Sequence, residues 1–451
     1  MIRLMIAGLH SGGGKTTVTC ALLELLKRRG LDPCAFKCGP DYIDPMFHRS
    51  VLGVESHNLD LFLAGEDTVR RLFAQSAREH GAAVCEGVMG FYDGMGGTDR
   101  ASSWHVADLL DLPVLLVVRP KGASLTLAAE IRGVCAFRKR SHIAGILLNA
   151  CSASLYQSLS RVLEQETGVP VLGYLPHREQ AEIQSRHLGL YTAGEIRDLR
   201  ERIGLLSREL EEHLDVDRLL AICTCGGSGL RPAPESRAST VPIAVARDEA
   251  FCFAYAETLE ALRSAGARLL FFSPLRDETL PSGSCGLYLP GGYPELYAEA
   301  LAGNEEMRRA VFQALSNRLP TVAECGGFLY LGQTLEDPQR RAWPMAGFLP
   351  GRGFGAGKAV RFGYEALTAE ADSLLLRAGE SVPAHEFHYW ESTEPGEDLR
   401  AEKASTGKSW SCGFTGPALY AAFPHLYMAG HPEMAERFVE AARNYERRHA
   451  N

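Results

Sequence analysis

The chain is short of the features that send a protein across a membrane or onto a nucleic acid. No apolar run in its 451 residues is long enough to span a bilayer. The N-terminal run, Leu4–Ala7, gives way to glycines at once and is read as neither a secretory signal nor an anchor. A cytoplasmic protein is expected. Positive charge is also scarce: 47 Lys and Arg stand against 55 Asp and Glu, a net charge of -8. That balance argues against a general nucleic-acid or anionic-membrane binder and points to a small metabolite. The twelve cysteines contain no CxxC pair of the zinc-site kind. Cys20, Cys85, Cys135 and Cys285 sit in apolar segments and are read as small core residues. Cys223 and Cys225 are close neighbours without further ligands, so no metal is expected there. Internal repeats and low-complexity tracts are missing too.

What the chain does have begins at its N-terminus. Leu4-Met5-Ile6-Ala7-Gly8-Leu9-His10-Ser11-Gly12-Gly13-Gly14-Lys15-Thr16-Thr17 reads as a buried strand, a glycine-rich turn and a helix start, continued by Val18, Leu22, Leu23 and Leu26. This is a phosphate-binding loop. The N–H groups of Gly12, Gly13 and Gly14 would face a triphosphate, with Thr17 in the first helical turn. Lys15 would reach the β- and γ-phosphates, and the Thr16 hydroxyl would hold Mg2+. Counted back from Lys15, the first glycine of the usual pattern falls on Leu9, and the chain supplies Gly8 instead. The loop is one residue longer than usual, which resembles the dethiobiotin synthetase branch of P-loop proteins.

Short apolar runs alternate with helical ones up to about Ile222, the habit of a parallel sheet covered on both faces. Strands are expected at 4–7, 33–37, 82–86, 113–118 and 143–149, three of them ending on Lys37, Glu86 and Asn149. A charged helix is expected over 194–220. The Gly-, Pro- and Ser-rich stretch 223–240 reads as a linker. A second alternating region follows, with strands at 243–246, 268–272, 286–289 and 321–324 and helices at 250–265 and 305–319. The expected organisation is two α/β domains, 1–222 and 241–451, joined by that linker.

Ligands of parallel sheets bind beyond the carboxyl ends of the strands, so the polar residues there are site candidates. Phe36-Lys37-Cys38-Gly39-Pro40-Asp41-Tyr42-Ile43-Asp44-Pro45 packs a lysine and two carboxylates into one proline-stiffened turn. Lys37 could neutralise charge on a transferred phosphoryl group, and Asp41 could coordinate Mg2+. Glu86 is a second Mg2+ candidate and Asp93 a residue on the substrate side. Asn149 could pair with a base edge of ATP, or it could cap a helix.

Gly39-Pro40-Asp41-Tyr42-Ile43-Asp44-Pro45, Glu86-Gly87-Val88-Met89-Gly90-Phe91-Tyr92-Asp93-Gly94 and Leu289-Pro290-Gly291-Gly292-Tyr293-Pro294-Glu295 resemble motifs of the cobyrinic acid a,c-diamide synthase family. The likeness runs from the phosphate loop nearly to the C-terminus. It implies a P-loop amidoligase fused to a class I glutamine amidotransferase, using ATP, Mg2+ and glutamine to amidate two acetate side chains of a corrin-type tetrapyrrole. By the same resemblance Asp41, Tyr42, Asp44, Glu86 and Asp93 fall on positions that bind metal, ATP or the substrate carboxylate. One departure is Val118-Arg119-Pro120, where an aspartate is expected.

In the second domain Thr321-Val322-Ala323-Glu324-Cys325-Gly326-Gly327 reads as a strand, a cysteine and a glycine pair before a helical 328–331. This is the pattern of a nucleophile elbow, whose helix start should lower the thiol pKa. The N–H groups of Gly292 and Gly326 could form an oxyanion hole. Acyl transfer from an amide through a thioester follows, and the resemblance makes that amide glutamine. His425 falls where the family carries its catalytic histidine, whereas His431-Pro432-Glu433 imitates the end of the wider class I triad. His385 and His388 match another family motif, with a role at substrate or an interface rather than at a metal. Arg352, Lys358 and Arg361 in a glycine-rich loop could grip carboxylates.

The mechanism expected is thiol-driven release of ammonia from glutamine, and ATP-driven phosphorylation of a carboxylate that ammonia then displaces. Two rivals stand beside it. One is a P-loop switch protein with a dead second domain, although such proteins carry a second lysine where this chain has His10. The other keeps the chemistry but acts on hydrogenobyrinic acid, nickel sirohydrochlorin or sirohaem. A homodimer is left open as the assembly.

Overall fold

The computed structural model describes residues 1–179, 199–224 and 240–449. The chain divides into two compact units, Met1–Leu61 with Gly65–Ala233, and Phe62–Ala64 with Pro234–Asn451. Most of the expected 223–240 linker, and the first residues of the expected 194–220 helix, lie outside the described residues.

The first unit is built on seven strands: β1 (Ile2–Gly8), β2 (Pro33–Cys38), β3 (Ser56–Leu59), β4 (Ala82–Glu86), β5 (Val114–Val118), β6 (Ile143–Asn149) and β7 (Val171–Leu175). They form one sheet in the order β3-β2-β4-β1-β5-β6-β7. Every neighbouring pair is parallel. All but β3 read as largely apolar runs because both faces are buried. In β5, Leu115 and Val117 join one core, and Leu116 and Val118 join the other. The first core is closed by α1 (Lys15–Arg28), α7 (Leu199–His213) and α8 (Val216–Cys223), through Leu22, Leu26, Ile203, Leu210 and Leu219. The second is closed by α5 (Leu125–Ala136) and α6 (Ala153–Thr167), through Leu127, Ile131, Leu159 and Leu163. Helices α2 (Ile43–Phe47), α3 (Leu61–Glu79, broken at Gly65) and α4 (Ser103–Leu110) complete the unit.

Two strands of this sheet, β3 and β7, were not among those expected from the sequence. The single charged helix expected up to Leu220 is two helices, because Asp215 caps a new start by accepting the Arg218 N–H at 3.0 Å.

The second unit carries β8 (Val241–Ala246), β9 (Ala267–Phe272), β10 (Gly286–Leu289), β11 (Thr321–Glu324), β20 (Phe414–Gly416) and β21 (Leu419–Ala422) in one sheet. The order is β20-β21-β11-β10-β8-β9, parallel except for the β20–β21 pair. Around it lie α9 (Ala256–Ser264), α10 (Ala298–Gly303), α11 (Glu305–Ser316), α12 (Gly326–Tyr330) and α13 (Pro432–His449). The helix expected from Ala250 starts at Ala256; before it Asp248 holds a turn by accepting the Ala250 and Phe251 N–H groups.

Two further sheets were not foreseen. One joins β12 (Thr334–Glu336), β13 (Ala342–Pro344), β14 (Arg352–Gly355) and β17 (Trp390–Ser392). The other is antiparallel and joins β15 (Arg361–Ala369), β16 (Ser381–His388), β18 (Leu399–Lys403), β19 (Ser409–Cys412) and β22 (His425–Leu426). The glycine-rich stretch expected as one loop therefore supplies β14 and the start of β15. No described helix is long and apolar enough to cross a membrane.

Candidate active sites

The phosphate loop leaves the carboxyl end of β1 and enters α1 through Gly14, whose φ of +92° is the left-handed conformation that suits glycine. A Cβ there would stand 1.9 Å from Asn149 Nδ2. Asn149 donates to the Gly13 carbonyl at 2.9 Å and so braces the loop from the end of β6. It does not cap α6; Ser152 does. Lys15 is buried and donates to the Met89 carbonyl at 2.6 Å and the His10 carbonyl at 3.2 Å. Burial and the charge of Lys37 lower its pKa. Gly12, Gly13 and Thr17 lie on the same turn, with Thr17 half-buried in the first turn of α1.

Strand register brings the next groups together. Glu86 pairs with Ile6 on one side and with Lys37 on the other, and Lys37 pairs with Asn58 of β3. Glu86 Oε1 accepts from the Thr16 hydroxyl at 2.5 Å and from Lys37 Nζ at 2.7 Å. Lys37 also bridges to Asp44. Burial pushes the Glu86 carboxyl up, to about 7, against the pull of Lys37. Burial would lower Lys37, but Asp44, Glu86 and Asp41 outweigh it and keep the ammonium charged. The lysine is thus paired inside the site instead of waiting at its mouth.

Asp41 uses Oδ1 to accept the Ile43 and Asp44 N–H groups at 2.8 and 3.0 Å, starting α2, with Tyr42 half-buried at its N-cap. Asp93 is exposed and closes its own turn by accepting the Gly90 N–H at 2.9 Å. Asn58 donates to the carbonyls of Gly39 and Asp41 at 3.0 and 2.6 Å. This residue was missed by sequence reasoning, because Ser-His-Asn-Leu is too polar to announce a strand. Arg119, at the end of β5, is exposed.

The donor set fits a divalent cation. Glu86 Oε2 is buried without a hydrogen-bond partner, and the Thr16 hydroxyl lies against the other oxygen of the same carboxylate. Hard oxygen donors beside a phosphate loop are what Mg2+ takes.

In the second unit Cys325 follows β11 at φ +48° and ψ -103° and opens α12. That is the strained turn of a nucleophile elbow. It is possible because α12 opens on two glycines packed too closely for a side chain: a Cβ on Gly327 would stand 2.1 Å from the Leu289 carbonyl, and one on Gly326 2.8 Å from the Pro294 ring. The latter point is 3.1 Å from the Gly292 nitrogen, so both expected oxyanion donors belong to one corner. The ring of His425 lies against Gly291, where a Cβ would be 2.4 Å from Cε1. Cys325 N–H donates to the Ala422 carbonyl at 2.8 Å, which ties the elbow to the strand leading into His425.

The expected lowering of the thiol pKa is not found. Burial, then Glu295 and Glu386, push the Cys325 thiol up, and the Gly326 N–H opposes them too weakly. Burial, with His385 and His388 nearby, lowers His425 to about 3, so its ring is a neutral base.

The other histidines separate from this corner or support it. His431 pairs with Glu433 at 3.3 Å at the start of α13. His388 bonds Glu386 at 2.6 Å and stacks on Phe423. His385 is buried opposite His425 in the β16–β22 register. Arg361 pairs with Glu386 and Glu391 at 3.2 Å, whereas Arg352 and Lys358 are exposed. Among the described residues no cluster of three His, Cys, Asp or Glu could hold a metal.

Comparison with known proteins places both units. Residues 4–190 match the CobQ/CobB/MinD/ParA nucleotide binding domain, and residues 242–431 match the CobB/CobQ-like glutamine amidotransferase domain. The chain is 39% identical to a cobyrinate a,c-diamide synthase of Clostridium acetobutylicum, over 97% of this chain and 100% of the relative. Its identity to one from Salmonella typhimurium is 37%, over 97% and 98%. Against one from Thermoplasma volcanium it is 35%, over 99% and 98%.

Proposed function

Because this chain belongs to the cobyrinate a,c-diamide synthase family, we propose that it amidates the a- and c-acetate carboxylates of cobyrinate with ATP and glutamine. The observation that carries the reading is a cysteine held at φ +48° whose following glycine lies against Gly292, with the ring of His425 against the neighbouring Gly291, in the same chain as the Gly14–Lys15–Thr16 loop. A P-loop switch has no use for that elbow. We assign residues 1–222 to carboxylate activation and 241–451 to glutamine hydrolysis, with 223–240 as the linker.

In the glutaminase unit, His425 takes the Cys325 proton as the sulfur attacks the glutamine amide carbon. The Gly292 and Gly326 N–H groups receive the charge that develops on oxygen. Ammonia leaves with the proton returned by His425, and water releases glutamate from the thioester.

In the synthetase unit, Gly12–Gly14, Lys15 and Thr17 bind the phosphates of ATP, and Asn149 keeps the loop in register. Thr16 and Glu86 would hold Mg2+, with Asp41 the third residue assigned to it; the ion supplies charge neutralisation at the phosphates. Lys37 turns from its carboxylate partners toward the transferred phosphoryl group. Tyr42, Asp44 and Asp93 line the substrate side. The carboxylate attacks the γ-phosphorus, ADP leaves, and ammonia displaces phosphate from the acyl carbon. The acyl phosphate hydrolyses in water, so the step needs a shielded site. The cytoplasm, where ATP and glutamine are supplied, and a homodimer complete the proposal.

Cys325→Ala is the test. It should abolish glutamine-dependent amidation of cobyrinate and leave ammonium-dependent amidation intact. Loss of both together would refute the assignment of the two steps to two units.

A further inference from the structure

Resting on the glutaminase reading above, we propose that Glu324, the residue immediately before the nucleophile, is the positioning residue of His425 and completes a Cys325–His425–Glu324 set. The chain carries a more obvious candidate in His431-Pro432-Glu433, but Glu433 bonds His431 at the start of α13. Glu324 is the last residue of β11 and is 1% exposed. Its Oε1 accepts the N–H of Leu426, the residue after His425, at 3.1 Å. Its Oε2 accepts the Tyr288 hydroxyl at 2.9 Å and faces His425 Nδ1 at 3.9 Å.

One carboxyl group therefore holds the backbone just past the histidine, is itself held by a tyrosine of β10, and looks at one nitrogen of the ring. Once ionised, the Glu324 carboxyl facing Nδ1 keeps the proton on that nitrogen and leaves the Nε2 lone pair for a thiol. Buried as it is, it ionises only as pH approaches about 8, so the set is complete on the alkaline side of neutrality. The separation of 3.9 Å is an ion-pair distance, longer than a hydrogen bond. It acquires its value when the thiol proton moves to Nε2 and the ring becomes an imidazolium. Because Glu324 and Cys325 are adjacent at one strained turn, the base is aligned from the same short segment that aims the nucleophile.

The experiment compares Glu324→Gln, Glu324→Asp, Tyr288→Phe and Glu433→Gln with wild type. Glutamine hydrolysis, followed above about pH 8 where Glu324 is ionised, gives kcat and KM, and ammonium-driven amidation reports on the rest of the molecule. Glutamine can still accept from Leu426 but carries no charge. For Glu324→Gln, kcat for hydrolysis should fall about 100-fold or more, with KM for glutamine within about twofold and ammonium-driven amidation unchanged. Glu324→Asp should recover roughly a tenth of the wild-type kcat, because the charge returns one methylene too far away. Tyr288→Phe should lower kcat several-fold at constant KM, and Glu433→Gln should leave it alone.

Wild-type kcat in Glu324→Gln would overturn the proposal, as would a loss in Glu433→Gln that Glu324→Gln does not share. Should Glu324→Gln lose ammonium-driven amidation as well, Tyr288→Phe decides: an unchanged kcat there overturns the proposal. A wild-type protein that does not hydrolyse glutamine would instead overturn the reading on which the proposal rests.

Discussion

Burial moves the Glu324 carboxyl from 4.5 to about 8, opposed by the Leu426 N–H and the Tyr288 hydroxyl. The groups facing it are Tyr288, Tyr420, Cys325 and His425, none of them cationic at rest. Between 4.5 and about 8 the folded protein keeps a proton that the unfolded chain has lost, so this group's stabilisation is full below 4.5 and fades as pH rises through 8. Glu324→Gln lacks that dependence. Urea unfolding should therefore show the variant gaining stability relative to wild type between pH 5 and pH 9, and a constant difference would contradict the burial argument. Gly14 is the corresponding test residue of the other unit. Alanine there meets a φ of +92° and an Asn149 amide 1.9 Å from its Cβ. The left-handed conformation alone costs about 1–2 kcal/mol, and displacing Asn149 frees the Gly13 carbonyl. Calorimetric titration of Gly14→Ala should show ATP affinity reduced about tenfold or more.

Elements announce themselves in sequence when their period and their ends are both written in side chains. The five strands expected in the first unit are there because each is apolar on both faces. β3 is not so written: Ser56, His57 and Asn58 fill it, and only its pairing with β2 makes it a strand. The same holds for β15, β16, β18 and β19, antiparallel strands whose charged residues Arg361, Glu365, Glu386 and Lys403 pair across the sheet and blur the alternation. Lys15, Cys325 and Gly292 stand out as candidates in the sequence because glycine-rich turns surround them, whereas His425 is picked out only by the family resemblance. The contacts of Glu324 and Asn58 are not legible there, since they depend on strand register and not on local spacing. The thiol pKa was misjudged for a related reason: α12 spans only Gly326–Tyr330, and burial outweighs the start of so short a helix. The break between α7 and α8 was overlooked because Leu199, Ile203, Leu206 and Leu210 keep helical spacing right up to it. Asp215 makes that break by capping α8, whose Leu219 enters the first core. Asp215→Ala should lower the stability of the protein by about 1 kcal/mol in chemical denaturation, and Asp215→Asn should restore most of it. Equal losses in both variants would show that the cap is not what holds α8.

At the scale of the whole molecule, each site draws its residues from one unit and is backed by that unit's own cores. Lesions should then sort by unit. With ATP limiting, Gly14→Ala should lose amidation from glutamine and from ammonium alike while still hydrolysing glutamine, whereas Cys325→Ala should lose glutamine hydrolysis and amidation from glutamine but keep amidation from ammonium. The two purified variants, mixed and given glutamine, ATP and cobyrinate, test how the units are joined in function. Gly14→Ala would hydrolyse glutamine, and Cys325→Ala would amidate with whatever ammonia reaches it through the solvent. Near neutral pH most of that ammonia is protonated and unreactive, so diamide should appear only after a lag, in step with accumulated ammonium. An ammonium-consuming enzyme added to the mixture should abolish it, yet leave wild-type amidation from glutamine untouched. A wild-type rate that the scavenger suppresses would mean that free ammonia is the ordinary carrier and that fusing the two units in one chain serves something other than delivery, whereas lag-free recovery in the mixture would mean that ammonia passes from one chain to another, as a homodimer would allow.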